Sequence, residues 1–178
     1  AASDPDQAAR ELDKRWGLLL TQEEKNWTWA VIGKQAAQKL QDNASSYFAK
    51  VHHDSDLNDD LLMWKVRAAL RAGQWRQVLS ATDALSAEAR QDAAWTYWRA
   101  RALLATASGD AQRQQAQELL RSIASVRGFY EQLALEELGQ TISLPPAPPA
   151  LTASEKALAF ANPGLQRALY AVQIGLRP

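Results

Sequence analysis

Apolar residues in this chain recur mainly at intervals of three and four positions, the spacing of one face of an α-helix. Two such stripes consist of Leu61, Trp64, Ala68 and Ala72, and of Trp95, Trp98, Ala102 and Ala105. Leu103 and Leu104 lie outside the second stripe. The second helix is therefore apolar on more than one side, which predicts that it packs between two neighbouring helices.

Capping signals divide this pattern into ten predicted helices. Thr21 with Glu24, and Thr152 with Glu155, have the spacing of a capping box. We predict helices over about 4–16 and 22–40, a short helix after Asn43, helices over 61–72, 75–85, 93–106, 111–126 and 129–138, and two more after Thr152 and Asn162. Residues 143–150 contain four prolines, so we expect them to be extended and exposed.

An internal repeat indicates how these helices are arranged. Residues 64–70, WKVRAAL, align without gaps with residues 98–104, WRARALL, at an offset of 34. A period of about 34 residues is typical of tetratricopeptide arrays of helical hairpins. We therefore predict an all-α fold, a right-handed α-superhelix of helical hairpins. Its predicted organisation is a superhelical domain over 1–140, a proline-rich linker over 141–151 and the first helices of a truncated linker domain over 152–178.

Composition supports the helical prediction and narrows the function. The 34 Ala, 24 Leu and 16 Gln far outnumber the 17 Val, Ile and Thr combined, which favours helices over strands. The 20 basic and 20 acidic residues cancel, which argues against a nucleic-acid partner. No uncharged apolar run is long enough for a membrane span. Because cysteine is absent, disulfides, thiolate metal sites and cysteine nucleophiles are excluded.

Three residues are candidates for binding a glycan: Arg67, Tyr97 and Arg101. The two arginines occupy equivalent repeat positions beside the tryptophan stripes, where a guanidinium could bind carboxylates on a concave wall. The ordinary alternative is that each arginine lays its stem over an apolar neighbour. All the tryptophans lie at or before position 98. Such rings can stack on sugars, but packing between hairpins is their commoner role.

Sites for metals, cofactors and catalysis are not predicted. His52 and His53 lie close to Asp54, Asp56, Asp59 and Asp60, but aspartates commonly gather at the N-terminus of a helix. The sequence contains no phosphate-binding loop, nucleophile elbow or metalloprotease motif. Glu136 and Glu137 are adjacent on a predicted helix, so they point in different directions and do not form a catalytic carboxylate pair.

Two segments resemble the large soluble lytic murein transglycosylases of the bacterial periplasm. Residues 91–103, QDAAWTYWRARAL, are similar to that family's Asp…Trp-x-Tyr-Trp-x-x-Arg-Ala-Leu stretch. Residues 127–139, RGFYEQLALEELG, are similar to its Gly-Phe-Tyr-x-x-Leu-Ala-x-x-x-Leu-Gly stretch. The resemblance begins at about Leu61, and the earlier residues share only an alanine-rich helical composition.

The resemblance implies a periplasmic location and a role on peptidoglycan. In this family a ring of helices and a linker domain precede a lysozyme-like domain, which cleaves the bond between N-acetylmuramic acid and N-acetylglucosamine to a 1,6-anhydro product. The family's catalytic glutamate precedes a serine, whereas none of the nine glutamates here does. We therefore expect a superhelical fragment without the catalytic domain, which is inactive alone but guides the glycan strand, with cell-wall proteins as further possible partners.

The internal repeat is also compatible with a second function. Arrays of tetratricopeptide-like hairpins also form stand-alone adaptors, which bind a peptide or protein partner in a concave groove. A self-contained enzyme is disfavoured because the chain shows no convergent set of polar residues.

Overall fold

The computed structural model describes residues 4–143 and 147–176. Within those ranges the chain is all-helical and has no strand, which confirms the predicted fold class. The helices are α1 (Pro5–Glu11), α2 (Gln22–Gln38), α3 (Ala44–Phe48), α4 (Asp59–Arg71), α5 (Trp75–Ala84), α6 (Ala93–Thr106), α7 (Asp110–Ile123), α8 (Phe129–Glu137), α9 (Ala153–Ala161) and α10 (Pro163–Gln173).

The predicted caps set the start of several helices. Thr21 and Glu24 form a complete capping box at α2, and Thr152 and Glu155 form another at α9. Asp92 accepts a hydrogen bond from the Ala94 amide at the start of α6. The backbone and hydroxyl of Thr21 donate to the Glu24 carboxylate and hold the pKa of Glu24 below its usual range. Local sequence therefore fixes these helix boundaries.

The first predicted helix changes its winding before it ends. It is α-helical to Glu11 and continues as a π-helical turn over Leu12–Trp16. The Gly17 amide closes this turn by donating to the Leu12 carbonyl at 2.7 Å. A Cβ atom at position 17 would also lie 2.7 Å from that carbonyl oxygen. A glycine therefore permits the close backbone approach that ends the helix.

The described chain divides into two units, residues 4–143 and 147–176. In the first unit α4 packs on α5 and α6 packs on α7, as expected for successive hairpins. Trp64 and Trp98 occupy equivalent positions on α4 and α6, and both are half-buried. Ala72 and Ala105, the last members of the two predicted stripes, are exposed because they lie at the C-terminal ends of these helices.

Helix α6 supplies side chains to two apolar clusters of the first unit. Trp95 and Ala102 belong to the cluster built mainly from α2, α4 and α5. Tyr97, Ala100 and Leu103 belong to the cluster formed with α7 and α8. The prediction that this helix is apolar on more than one side and packs between neighbours is therefore confirmed.

The second unit contains the α9–α10 pair, in which every described residue is exposed or only half-buried. Its exposed large apolar side chains are Leu151, Leu158, Phe160, Leu165, Leu169, Tyr170, Val172, Ile174 and Leu176. Residues 147–150 are non-helical and exposed. The rest of the predicted proline segment includes residues 144–146, which lie outside the described residues.

Candidate functional site

A groove between the first helices of two successive hairpins contains one of the predicted arginines. This α4–α6 groove has a volume of about 460 Å³. Its lining residues are Met63, Arg67, Leu70, Asp92, Ala94, Trp95, Trp98 and Tyr130. The groove is thus mainly aromatic and apolar, with one cationic and one anionic side chain.

Two tryptophans hold the Arg67 guanidinium in place. Its central carbon lies 4.9 Å from the ring centre of Trp64, on the same helix, and 5.0 Å from the ring centre of Trp95, on α6. Trp95 is only 9% exposed, whereas Trp64 is half-buried and Arg67 is exposed. These distances are those of cation–π contacts, which stabilise a guanidinium over an aromatic face. Arg67 therefore joins two successive hairpins, and its side chain remains exposed.

Trp98 and Tyr130 form an aromatic wall of this groove. Their ring centres are 6.4 Å apart, and their planes meet at 69°. Both side chains are half-buried, so part of each ring faces the groove. Asp92 lies at the groove as well, where one of its oxygens is engaged by the Ala94 amide at 2.8 Å. Such a surface suits a ligand that combines ring or alkyl faces with polar groups.

Arg67 also lines a second groove, between α2 and α4. This α2–α4 groove has a volume of about 390 Å³. It is bordered by Ala37, Leu40, Gln41, Asp42, Ala44, Ser45, Trp64, Arg67, Ala68, Arg71 and Ala72. In this groove Arg71 lies 3.5 Å from the Asp42 carboxylate, and both side chains are largely exposed. Arg67 thus stands where the two grooves meet.

The other two predicted residues, Tyr97 and Arg101, contact each other and α8. The Arg101 guanidinium donates to the Tyr97 hydroxyl at 3.2 Å and forms an ion pair with Glu137. The Tyr97 ring is only 3% exposed. Burial raises the pKa of Tyr97 above its ordinary value, and the Arg101 hydrogen bond and charge act in the opposite direction. Both residues therefore make internal contacts that tie α6 to α8.

The aspartates before α4 and in its first turn bond to separate partners and do not gather around one point. Asp54 binds Lys65 at 2.5 Å and Ser80 at 2.5 Å, and Asp56 accepts from Asn26 at 2.6 Å. Asp59 accepts from Ser86 and Asp60 pairs with Lys34. His52 and His53 are exposed. No group of three or more His, Cys, Asp or Glu side chains in the described ranges has the arrangement of a metal site.

Some of these contacts are not visible in the sequence pattern. The buried pair of Lys65 and Asp54 spans 11 residues, and the contact of Arg67 with Trp95 spans two hairpins. The repeat offset was the available signal for the second contact, because it places α6 beside α4. No described helix is both long enough and apolar enough to cross a membrane.

Comparison with known proteins supports the architecture. No protein-family model matches the sequence, and no curated protein matches it. The fold is similar to that of an inactive mutant of the lytic transglycosylase Slt from Pseudomonas aeruginosa, with a TM-score of 0.66 and 22% sequence identity. The match covers 98% of this chain and 28% of that protein. The likeness is one of fold, and it agrees with the predicted α-superhelix.

Proposed function

We propose that this chain is a non-catalytic superhelical part of a periplasmic lytic transglycosylase, where it holds or guides the glycan strand of peptidoglycan. The fold similarity to Slt along nearly the whole chain supports this role. The two sequence segments that resemble the family lie at α6 and α8, which flank the α4–α6 groove. The parent protein would cleave the glycan to a 1,6-anhydro product through a domain that this chain does not supply.

We also propose that the chain consists of three parts. Residues 1–140 belong to the superhelix, residues 141–151 form the linker, and residues 152–178 belong to the linker domain. The division of the described chain into units over 4–143 and 147–176 supports this assignment. We expect faster proteolysis between residues 147 and 151 than within the hairpins, because extended proline segments lack internal hydrogen bonds.

The single observation that carries the proposal is that the α4–α6 groove combines a guanidinium with aromatic rings. Arg67 lies against Trp64 and Trp95, and Trp98 faces the same space. Aromatic faces pack against the apolar faces of sugar rings, while a guanidinium donates hydrogen bonds to their polar substituents. A groove with both features can hold a sugar chain without performing chemistry on it.

Binding is tested by co-sedimentation with purified sacculi. Ala94 lines the groove and is half-buried, so Ala94→Gln places a larger side chain in the binding space. Ala105→Gln is the matched control, because Ala105 is exposed on the same helix and does not line the groove. We expect the unchanged chain and Ala105→Gln to sediment with sacculi, and Ala94→Gln to sediment several-fold less.

Three outcomes would contradict the proposal. If the unchanged chain stays in solution, it does not bind peptidoglycan, and binding of a peptide partner would then favour the adaptor function. Equal sedimentation of both variants would show that the α4–α6 groove is not the binding surface. Release of 1,6-anhydro-muropeptides from sacculi by this chain alone would show that it is catalytic.

A further inference from the structure

The charge of Arg67 is not neutralised within the part of the chain that the structure describes. Ion pairs there occupy Lys34, Lys50, Lys65, Arg71, Arg99, Arg101 and Arg113. Among the described residues, the polar and aromatic contacts of Arg67 are the two with Trp64 and Trp95, although Asp92 lines the same groove. A cation that lines a groove without a carboxylate partner is complementary to an anionic group on a ligand.

The two tryptophans restrict the Arg67 side chain and leave its N–H groups available to such an anionic group. A ring face attracts the cation electrostatically and does not consume its N–H donors. Because Trp64 and Trp95 already restrict the side chain, less rotamer entropy is lost when a ligand binds. The planar fork of an arginine then matches the two oxygens of a carboxylate with parallel hydrogen bonds.

The rest of the groove defines what carries the carboxylate. Met63, Leu70, Trp98 and Tyr130 offer apolar and aromatic surface to a sugar ring. Asp92 would repel a second anion but accepts hydrogen bonds from a hydroxyl or an amide N–H. The complementary ligand is therefore a sugar chain that has N–H or O–H donors on its rings and a carboxylate on a substituent.

We propose that Arg67 is a carboxylate-recognition residue in the α4–α6 groove and selects glycan strands that carry acidic substituents over neutral strands of the same sugars. In peptidoglycan the acidic substituents are the peptides attached to the sugars. This inference rests on the proposed function, because it specifies which part of the strand the groove recognises. In this proposal Arg67 determines the specificity for the carboxylate, whereas the aromatic wall of Trp98 and Tyr130 provides affinity for the sugar rings.

The test compares two soluble ligands in calorimetric titrations. One is a peptide-bearing glycan fragment with free carboxylates, and the other is the same fragment with those carboxylates converted to amides. We expect the unchanged chain to bind the acidic fragment about tenfold more tightly, which is the lower range for a charge-assisted hydrogen-bonded pair. Arg67→Gln should remove this preference while it keeps the weaker binding of the amidated fragment.

Two further variants separate recognition from folding. Arg67→Lys keeps the charge without the planar fork, so we expect an intermediate preference. Arg76→Gln is the matched control, because Arg76 is exposed and lines neither the α4–α6 groove nor the α2–α4 groove. It should keep the full tenfold preference. Helical circular dichroism spectra of all three variants show whether each one is folded.

The failures of the inference and of the proposed function are distinguishable. Equal affinity of the unchanged chain for both fragments would overturn carboxylate recognition but leave glycan binding in place. An equal loss of both affinities in Arg67→Gln would assign the residue to general binding and would also overturn the inference. If neither fragment binds, the proposed function itself fails, and the assignment of Arg67 fails with it. Equally tight binding of the free peptide would overturn recognition of a glycan.

Discussion

Arg67 and Arg101 are equivalent in the repeat, yet the structure places them in different environments. Each follows a half-buried tryptophan by three residues on the first helix of its hairpin. Arg67 is exposed, lies over two tryptophan rings and lines two grooves. Arg101 is half-buried, bonds to Tyr97 and pairs with Glu137 of α8. The same local sequence therefore supports an open surface in one hairpin and an internal link in the next.

The difference arises from the neighbours of the two helices. The element that follows α6 and α7 supplies Glu137, and this carboxylate neutralises the guanidinium of Arg101. The neighbour of Arg67 is instead the tryptophan face of α6. In a repeat protein the equivalent position can thus stay exposed or form an internal contact, according to what the adjacent repeat presents to it.

The largest expected effect comes from truncating the tryptophans beside these arginines. Trp98 packs against both apolar clusters, whereas Trp64 packs against the first cluster alone. We expect Trp98→Ala to lower the free energy of unfolding by about 3 kcal/mol and Trp64→Ala by about 2 kcal/mol, since both rings are only half-buried. Urea denaturation measures both values. A larger loss of unfolding free energy for Trp64→Ala than for Trp98→Ala would contradict the packing of α6 against both clusters.

A smaller loss of stability is expected when the internal link is removed. Arg101→Gln breaks the ion pair with Glu137 and the hydrogen bond to Tyr97. Because these charged side chains are 37% and 29% exposed, solvent screens their attraction, and we expect a loss of about 1 kcal/mol. Glu137→Gln should cost a similar amount. Additive losses in the double variant would show that the two residues do not interact.

The titration of Tyr97 gives a local measure of the same link. Burial raises the pKa of its hydroxyl above 10.0, and Arg101 opposes that rise. Arg101→Gln should therefore raise the pKa of Tyr97 further, whereas Arg67→Gln should leave it unchanged. Nuclear magnetic resonance of ring-labelled tyrosine measures this directly. A lower pKa of Tyr97 in Arg101→Gln would contradict the contact between Arg101 and Tyr97.

The raised pKa also predicts how stability varies at high pH. The folded chain holds the Tyr97 proton more tightly than the unfolded chain does, so this contribution is fully present below about pH 10. It is lost as the pH rises through the folded-state pKa. Urea denaturation at a series of alkaline pH values should show a falling free energy of unfolding. This fall should be smaller in Tyr97→Phe.

The smallest expected effect on stability is that of Arg67→Gln. Only cation–π contacts at an exposed side chain are lost, and these contribute about 0.5–1 kcal/mol. The midpoint temperature of thermal unfolding should therefore fall by a few degrees at most. A loss clearly above that of Arg101→Gln would show that Arg67 is mainly structural, and the contrast between the two arginines would then disappear.

Local features of the fold and the two-sided packing of α6 could be predicted from the sequence, while individual side-chain pairs between hairpins could not. The caps at Thr21, Asp92 and Thr152 act within a few residues, so their pattern is visible in the chain itself. The pairing of Arg101 with Glu137 depends on how α8 lies against α6, over a separation of 36 residues. The π-helical turn before Gly17 also has no periodic signal, because a single glycine allows it.

The two-sided packing of α6 has a consequence for how the first unit opens. A hairpin that contacts one cluster could separate from its neighbours alone, but α6 anchors side chains in both clusters. Local opening at either side must therefore expose part of the same helix, which couples the two clusters into one cooperative unit. The backbone amides of Ala100, Ala102 and Leu103 should then be among the slowest in the first unit to exchange with deuterium, at a rate set by its global unfolding.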